Sequence, residues 1–578
     1  MNQHQYNSTQ DSHNTSAAPE ILLKWNGWSK NGKAGTDLYF RGYLWFGNEQ
    51  VLSSDSLRNL FEGHSPAGED LTNWIRRSLL NKANGNFAII LKNDTGLFAA
   101  TDIIRSHPLY LIRTAERCIL SDSIPVEKQS LTPDTESMEQ FLTTFSVFGH
   151  QTVYKEVTSV EPGETVWISN NGEVQKETYF RFIYNGAIEN EISDEILHNR
   201  LDELLLSVFK RMIDSAPAST RWVIPLSGGI DSRLIANYLY RLGCKNVVCY
   251  SYGIPENEQS NLSREVANKL GFRWDFVEYT EQKWLALHQT GAIDSFIDYA
   301  FNGDSLPHLQ DFLAVQELSA RGIIDEKSII VPGHQMGFIT DFVEKDRPDD
   351  ASTEALLGTL LNKNVKVGKP GRYSASLRKQ FLQQIEEKKN IPHLSFSEYF
   401  SWANRHTKFT GHSVRAYEFY GIGWRLPYWE KELVEFWLDV DLSRRSNQRL
   451  YKQAAETTLF VKPLVGIPYA KKPHEAVERR ISNKLKETLK HQLPHQVLVP
   501  LNRLFHPGKH ANEGLSQIYA LRAKDTEALI GKIKEWPKSL QPYLAPLRRR
   551  YTTQVNHHVL TALYTLYREV ILKSGKSG

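Results

Sequence analysis

The sequence predicts two unlike halves: an α+β N-terminal domain over residues 20–190, then an α/β, doubly wound parallel sheet over 191–475 that passes into a helical C-terminal region. Short alternating or β-branched runs between turn residues fill the first half, among them DLYFRGYLWFG, NFAIILKND, LFAATDI, ERCILSD and ETVWISNNGEV. After residue 190 the rhythm becomes helix, strand, helix, strand, at 193–215, 221–226, 232–242, 246–252, 258–270 and 273–279, the alternation of a parallel sheet. From about residue 376 helical periodicity dominates.

In chain order, residues 1–19 are Ser, Asn and Gln-rich with almost no aliphatics, so ordering them costs entropy without burial; a flexible tail is expected. Residues 20–190 read as a mostly antiparallel β domain with helices near 55–82 and 135–147. Residues 476–578 read as a helical extension whose basic runs, such as LRRR, fit a solvated face.

Composition narrows the function classes. A formal net charge of +3 is too mild for a phosphate-reading surface, so no nucleic-acid partner is expected. The three cysteines, Cys118, Cys244 and Cys249, include no CxxC pair, which fits a reducing compartment. No run approaches the roughly 20 apolar residues that span a bilayer, and the first residues lack the pattern of a signal peptide. No membrane contact and a cytoplasmic location are expected.

The chemistry concentrates in WVIPLSGGIDSRLIAN, residues 222–237. VIPL reads as a buried parallel strand, and SRLIANYLYRLG as a helix stopped at Gly243. The loop between them lies at a strand's carboxyl end and a helix's N-terminus, where backbone N–H groups and the helix dipole face an anion. Gly228 and Gly229 are expected to let the backbone approach phosphate oxygens, while Ser227 and Ser232 add hydroxyl donors. Asp231 is an odd neighbour for phosphate unless a cation lies between them, so it reads as a magnesium ligand. The loop lacks the lysine of a Walker motif.

The loop resembles the SGGxDS signature of ATP pyrophosphatases, and the chain from about 20 to 475 resembles class B asparagine synthetases and their relatives. The resemblance runs through NGNFAIILKNDTGLFAATDIIRSHPLYL (84–111), similar to that family's N-terminal-nucleophile glutaminase domain, and through NVVCYSYG, SIIVPGHQMGFITDF and YGIGWRLPYWEKELVEFW. It implies ATP and Mg2+ as cofactors. ATP would be gripped by Ser227, Gly228, Gly229, Asp231 and Ser232, with Tyr250 and Ser251 facing the adenine and Gly333 in the glycine-rich loop. A carboxylate would be adenylated, pyrophosphate released, and ammonia or an amine joined to the acyl group.

By the same resemblance Lys471 or Lys472 is the cation near the departing pyrophosphate, with two surface lysines as the alternative. His334 stands where a related enzyme has a catalytic tyrosine, with a structural loop histidine as the alternative. Arg425 and Glu430 are expected to pair across the frame of the site. A finer likeness, to the branch linked with bacterial surface polysaccharides, implies a sugar carboxylate, a uronic acid, as acceptor. A homodimer is a further expectation.

Two departures stand out. None of the three cysteines can serve as an N-terminal nucleophile, so the glutaminase-like domain is expected to be degenerate. Gly337 occupies the place of an acidic magnesium-binding residue; Asp341, four residues on, would share its face if a helix starts there, and is the second metal candidate. Sulfur transfer on the same fold, and a non-catalytic pseudo-synthetase that binds a nucleotide or a partner protein, are the competing readings.

Overall fold

The computed structural model describes residues 18–33, 35–124, 130–188, 191–341, 352–366, 374–470 and 557–572. The expected tail over 1–19, apart from its last two residues, lies outside them, as does the expected helical extension except for 557–572. The first strands are β1 (Glu20–Leu22), β2 (Ser29–Lys33), β3 (Thr36–Phe46), β4 (Glu49–Val51), β5 (Ala83–Asn93), β6 (Gly96–Thr101), β7 (Tyr110–Arg113) and β8 (Cys118–Ser121). Then come β9 (Val157–Ser159), β10 (Glu164–Ser169), β11 (Val174–Thr178), β12 (Arg221–Pro225), β13 (Val247–Gly253), β14 (Arg273–Glu278), β15 (Ser328–Ile330) and β16 (Gly423–Trp424).

Among the described residues these strands form three sheets. The first has the order β11-β10-β6-β5-β3-β2, with β4 on β3, and is antiparallel throughout. The second, β1-β8-β7-β9, departs from the expected antiparallel pattern at one edge, where β1 and β8 pair in parallel. The two strands belong to distant segments, and a pairing made after a long excursion carries no local signal.

The β5 run is buried on both faces, which explains an antiparallel strand without clean alternation. Phe87, Ile89 and Leu91 enter a core with Leu57 and Leu60 of the helix Ser54–His64 and with Leu71, Trp74 and Leu79. Ala88 and Ile90 enter another with Leu109, Leu111, Leu120 and Val166. Ser53 starts the helix by accepting the Ser56 N–H, in a capping box that satisfies donors otherwise left open.

The third sheet has the order β14-β13-β12-β15-β16 and is parallel throughout. β12 lies at its centre, so Trp222, Val223 and Ile224 are buried between covering helices that include Asp194–Asp214, Ile230–Arg241 and Glu258–Leu270. A continuous hydrophobic core runs from Phe141 and Tyr154 of the first half into this sheet. Polar contacts reinforce the junction: Asn84 Oδ1 accepts from the Glu432 N–H, and Asn86 Oδ1 from the Leu426 N–H, both at 3.0 Å. No helix among the described residues is long and apolar enough to cross a membrane.

The expected Arg425–Glu430 pair is corrected. Arg425 donates to Ser215, from Nε to Oγ at 2.8 Å and from Nη2 to the main-chain oxygen at 3.0 Å, whereas Glu430 accepts from Arg211 Nε at 2.7 Å. The turn Pro427–Trp429 separates them and sends the two side chains to different partners.

Gly42 crosses the first sheet at φ +99, and a Cβ there would meet the Asn86 carbonyl oxygen at 2.0 Å. Gly42→Ala is expected to cost about 3 kcal/mol, from backbone strain plus overpacking. Urea unfolding of the two proteins measures it.

Candidate functional site

β12 ends at Pro225, and the helix Ile230–Arg241 begins with Gly229 as an N-cap that carries no side-chain bond. Between them the chain folds on itself. The Ser227 N–H donates to Ser232 Oγ at 3.0 Å, the two hydroxyl oxygens lie 3.0 Å apart, and the Gly229 N–H reaches Ser227 Oγ at 3.3 Å. Ser251, on neighbouring β13, donates through Oγ to the Leu226 carbonyl at 2.6 Å and bonds Ser263 at 2.7 Å, bracing the loop's start. Tyr250 is buried beside it in the same strand.

The two glycines serve different ends. A Cβ on Gly229 would meet only Ser227 Oγ, at 3.5 Å, so that side of the turn is open. One on Gly228 would lie 2.7 Å from the Ala470 Cβ, and the Ala470 N–H donates to the Gly228 carbonyl at 3.1 Å. Gly228 is therefore needed for packing by a segment from far along the chain, where the sequence suggested only approach by phosphate. Arg233 holds the same segment. Fully buried, it donates to the Ile467 carbonyl at 2.8 Å and the Pro468 carbonyl at 2.9 Å, with its guanidinium 4.7 Å from the Tyr469 ring. Lys471 and Lys472 lie outside the described residues.

Asp231 is the hub. Its Oδ2 accepts from the Gly337 N–H at 3.0 Å, its Oδ1 from Tyr451 Oη at 2.9 Å, and its main-chain oxygen from Tyr428 Oη at 2.6 Å. Burial, with the Asp231 charge adding to it, raises both phenols well above their ordinary range, so each remains a donor at neutral pH. A Cβ at Gly337 would stand 3.5 Å from Asp231 Oδ2 and 3.1 Å from Gln448 Nε2, so position 337 faces this carboxylate. Gln448 donates to the Gly337 carbonyl at 3.1 Å and to Thr340 Oγ1 at 3.2 Å.

The loop after β15 approaches Ser232 closely. A Cβ on Gly333 would lie 2.6 Å from the Ser232 nitrogen, so only glycine fits. Next to it, His334 Nδ1 lies 3.2 Å from Ser413 Oγ, and burial lowers its pKa, favouring the neutral imidazole. Gln335 turns the chain at φ +78, and the helix that follows, Met336–Ile339, is a single turn. It ends before Asp341, so the shared helical face expected for 337 and 341 is not formed. The Asp341 carbonyl accepts from Arg445 Nη2 at 3.0 Å, and the Arg445 partner Glu398 has its pKa raised by burial, with the Asp341 charge a minor addition.

The structure thus gathers Ser227, Gly228, Gly229, Asp231, Ser232, Ser251 and Gly333 at the carboxyl edge of the parallel sheet, and places Asp341 beside Arg445. Sequence reasoning missed Tyr428, Gln448, Tyr451 and Arg233 as site-forming residues. Arg233 directly follows the recognised motif, and Tyr428 sits in a quoted segment, RLPYWEKEL; Gln448 and Tyr451 carry no local signal.

Gly333→Ala is expected to weaken ATP binding about tenfold or more, because relieving a contact this short costs on the order of 1–3 kcal/mol. The loop is peripheral to the core, so cooperative unfolding should persist. Calorimetric titration with ATP, beside a thermal melt, reads both.

Residues 201–322 match the family model described as asparagine synthase. Over 198 residues the chain is 26% identical to asparagine synthetase [glutamine-hydrolyzing] 1 of Bacillus subtilis; the match covers 33% of this chain and 30% of that protein. Among solved structures, an NH3-dependent NAD synthetase from Campylobacter jejuni aligns at 12% identity and a TM-score of 0.19, over 39% of this chain and 96% of its own. A glutamine phosphoribosylpyrophosphate amidotransferase from B. subtilis also aligns at 12% identity and a TM-score of 0.19, over 44% and 72%. The family match contains the loop around Asp231 and β13 and β14 beside it, and over residues 201–322 this chain is similar to asparagine synthases.

Proposed function

We propose that the protein is an ATP-dependent amide-forming ligase. The observation that carries the reading is the SGGIDS loop, with its open Gly229 face, at the carboxyl end of the central parallel strand and the start of a 12-residue helix. Helix N-terminal N–H groups and two serine hydroxyls there favour a polyphosphate. A carboxylate oxygen of the acceptor attacks the α-phosphorus, the α–β P–O bond breaks, and pyrophosphate leaves. An amine nitrogen then attacks the acyl carbon and loses a proton, and AMP departs with the electrons of the acyl C–O bond.

Magnesium fits the donor set, which is carboxylate and hydroxyl oxygen at Asp231, Ser227 and Ser232. When bound it supplies charge neutralisation of the polyphosphate. Asp231 would hold it, oriented by Gly337 N–H and Tyr451 Oη, with Asp341, which meets Arg445 through its main-chain oxygen, as the second candidate ligand. Lys471 or Lys472, which follow the Ala470 that is bonded to Gly228, would supply the cation toward the leaving pyrophosphate. A donor aimed at that developing charge is worth about 3 kcal/mol. His334, kept neutral by burial, is suited to hydrogen bonding rather than to charge.

Nitrogen is proposed to come from ammonia or an amine. Cys118 and Cys249 are buried inside strands, Cys244 follows a helix, and burial raises all three thiols. Raised thiols are protonated at neutral pH and weakly nucleophilic. The acceptor class we favour is a sugar carboxylate, handled in the cytoplasm.

One observation favours a second reading, a non-catalytic nucleotide-binding protein: position 337 faces Asp231 but offers no second carboxylate. Labelled ATP, magnesium and a panel of carboxylic acids that includes a uronic acid separate the two. The ligase releases labelled AMP and pyrophosphate; ADP and phosphate would refute it, and nucleotide binding without turnover would establish the second reading. Asp231→Ala should lower pyrophosphate release by about a hundredfold, the scale of removing an electrostatic contact to the reacting phosphates.

Purified protein given glutamine should form no glutamate. Glutamate production that disappears on replacing Cys118 would overturn the nitrogen assignment.

A further inference from the structure

Where the first half meets the parallel-sheet half, positive charge is buried in excess. Arg41 of β3 donates from Nη2 to Glu418 Oε1 at 3.1 Å, and Arg415 from Nη1 to Glu418 Oε2 at 2.5 Å. Trp424 Nε1 and Tyr299 Oη donate to the same carboxylate, at 2.9 and 3.4 Å. One carboxylate therefore serves two guanidinium groups. A third cation nearby, Arg425, donates only to neutral oxygens of Ser215 and Trp424. Among the described residues no second carboxylate pairs with any of the three.

The hydrogen bonds are also incomplete. Arg41 Nη1, Arg415 Nε, Trp25 Nε1 and Asn86 Nδ2 are buried with no acceptor, in residues exposed by only 6, 1, 4 and 1%. These residues are close together. Both guanidinium carbons lie over the Trp25 ring, at 5.3 Å for Arg41 and 4.7 Å for Arg415. Asn86 and His107 flank Gly42, the next residue to Arg41, and the His107 ring lies 5.0 Å from that of Trp424.

Each unmet buried donor carries the full desolvation penalty of its N–H, and an unpaired buried cation costs more. Water alone answers this poorly, because each water brings two hydrogens that need acceptors. Four of the unpartnered buried side-chain atoms here are N–H donors, against His107 Nδ1, Tyr43 Oη and, beyond Tyr43, Glu430 Oε1 as unpartnered side-chain acceptors. A group with lone pairs, negative charge and no hydrogens satisfies both deficits.

We propose that this junction is a binding site for a small monovalent anion, a halide or the carboxylate of a small acid, held by Arg41 and Arg415 with Trp25 and Asn86. Its ligands come from both halves, so the anion braces one against the other. The inference stands apart from the ligase reading.

The test uses full-length protein dialysed into a buffer whose only anion is a bulky sulfonate, at constant ionic strength. Potassium bromide or sodium acetate is titrated in while thermal unfolding is followed. A saturable rise in Tm of a few degrees is expected with one of them. Bromide acting where acetate does not assigns an inorganic anion, and the reverse assigns a carboxylate. Arg41→Gln should abolish the saturable rise. Should that variant not fold, wild-type crystals soaked in bromide or acetate decide. An anomalous bromide peak, or acetate density, within hydrogen-bonding reach of Arg41 Nη1 and Arg415 Nε supports the site. Flat titrations with both anions, and only water at that position, overturn it.

Discussion

The site depends on one half-buried carboxylate being held from three directions. Asp231 comes from the first turn of the helix after β12, Gly337 from the single helical turn Met336–Ile339 after β15, and Tyr428 and Tyr451 from the helical region that follows. A charge in a partly buried place is tolerated only when its lone pairs are met. The N–H of residue 337 and the Tyr451 hydroxyl meet them, so the positions of three segments are fixed relative to the SGGIDS turn. The contact of Gly333 with the Ser232 backbone tightens the arrangement, leaving no room for a Cβ. Arg233 extends it, fixing residues 467–468 behind the turn and Ala470 against Gly228.

The first half contributes mechanically to this frame. Asn84 and Asn86, at the start of β5, spend their side-chain oxygens on the main chain of Glu432 and Leu426. Those residues flank the turn that presents Tyr428 to Asp231. Arg41 and Arg415 share Glu418 across the same junction. Together with the continuous core, these bonds make the first half a brace for the second.

Gly337 connects the two functional readings. Its side faces the carboxylate that a second acid would assist, while its N–H binds that carboxylate. A backbone N–H can orient Asp231 but cannot add charge to a cation site. In the proposed ligase a magnesium ion there would rest on Asp231, the nucleotide phosphates and water, a combination its preference for a water-rich shell permits.

By itself the sequence determined what local physics encodes. Periodicity separated a β-rich half from a β–helix–β half, and the glycine-serine turn between VIPL and a helical pattern located the strand-to-helix junction of the candidate site, because strand, turn and helix propensities act over a few residues. Tertiary structure decided the partnerships: β1 beside β8, Arg425 on Ser215, Glu430 on Arg211, Tyr451 on Asp231, and Gly228 under Ala470. Each joins residues far apart along the chain. Nothing in the spacing of Tyr451 distinguishes it from any core tyrosine; its role exists only because the parallel sheet brings three chain segments to one edge, and the Asp231 charge requires a donor there.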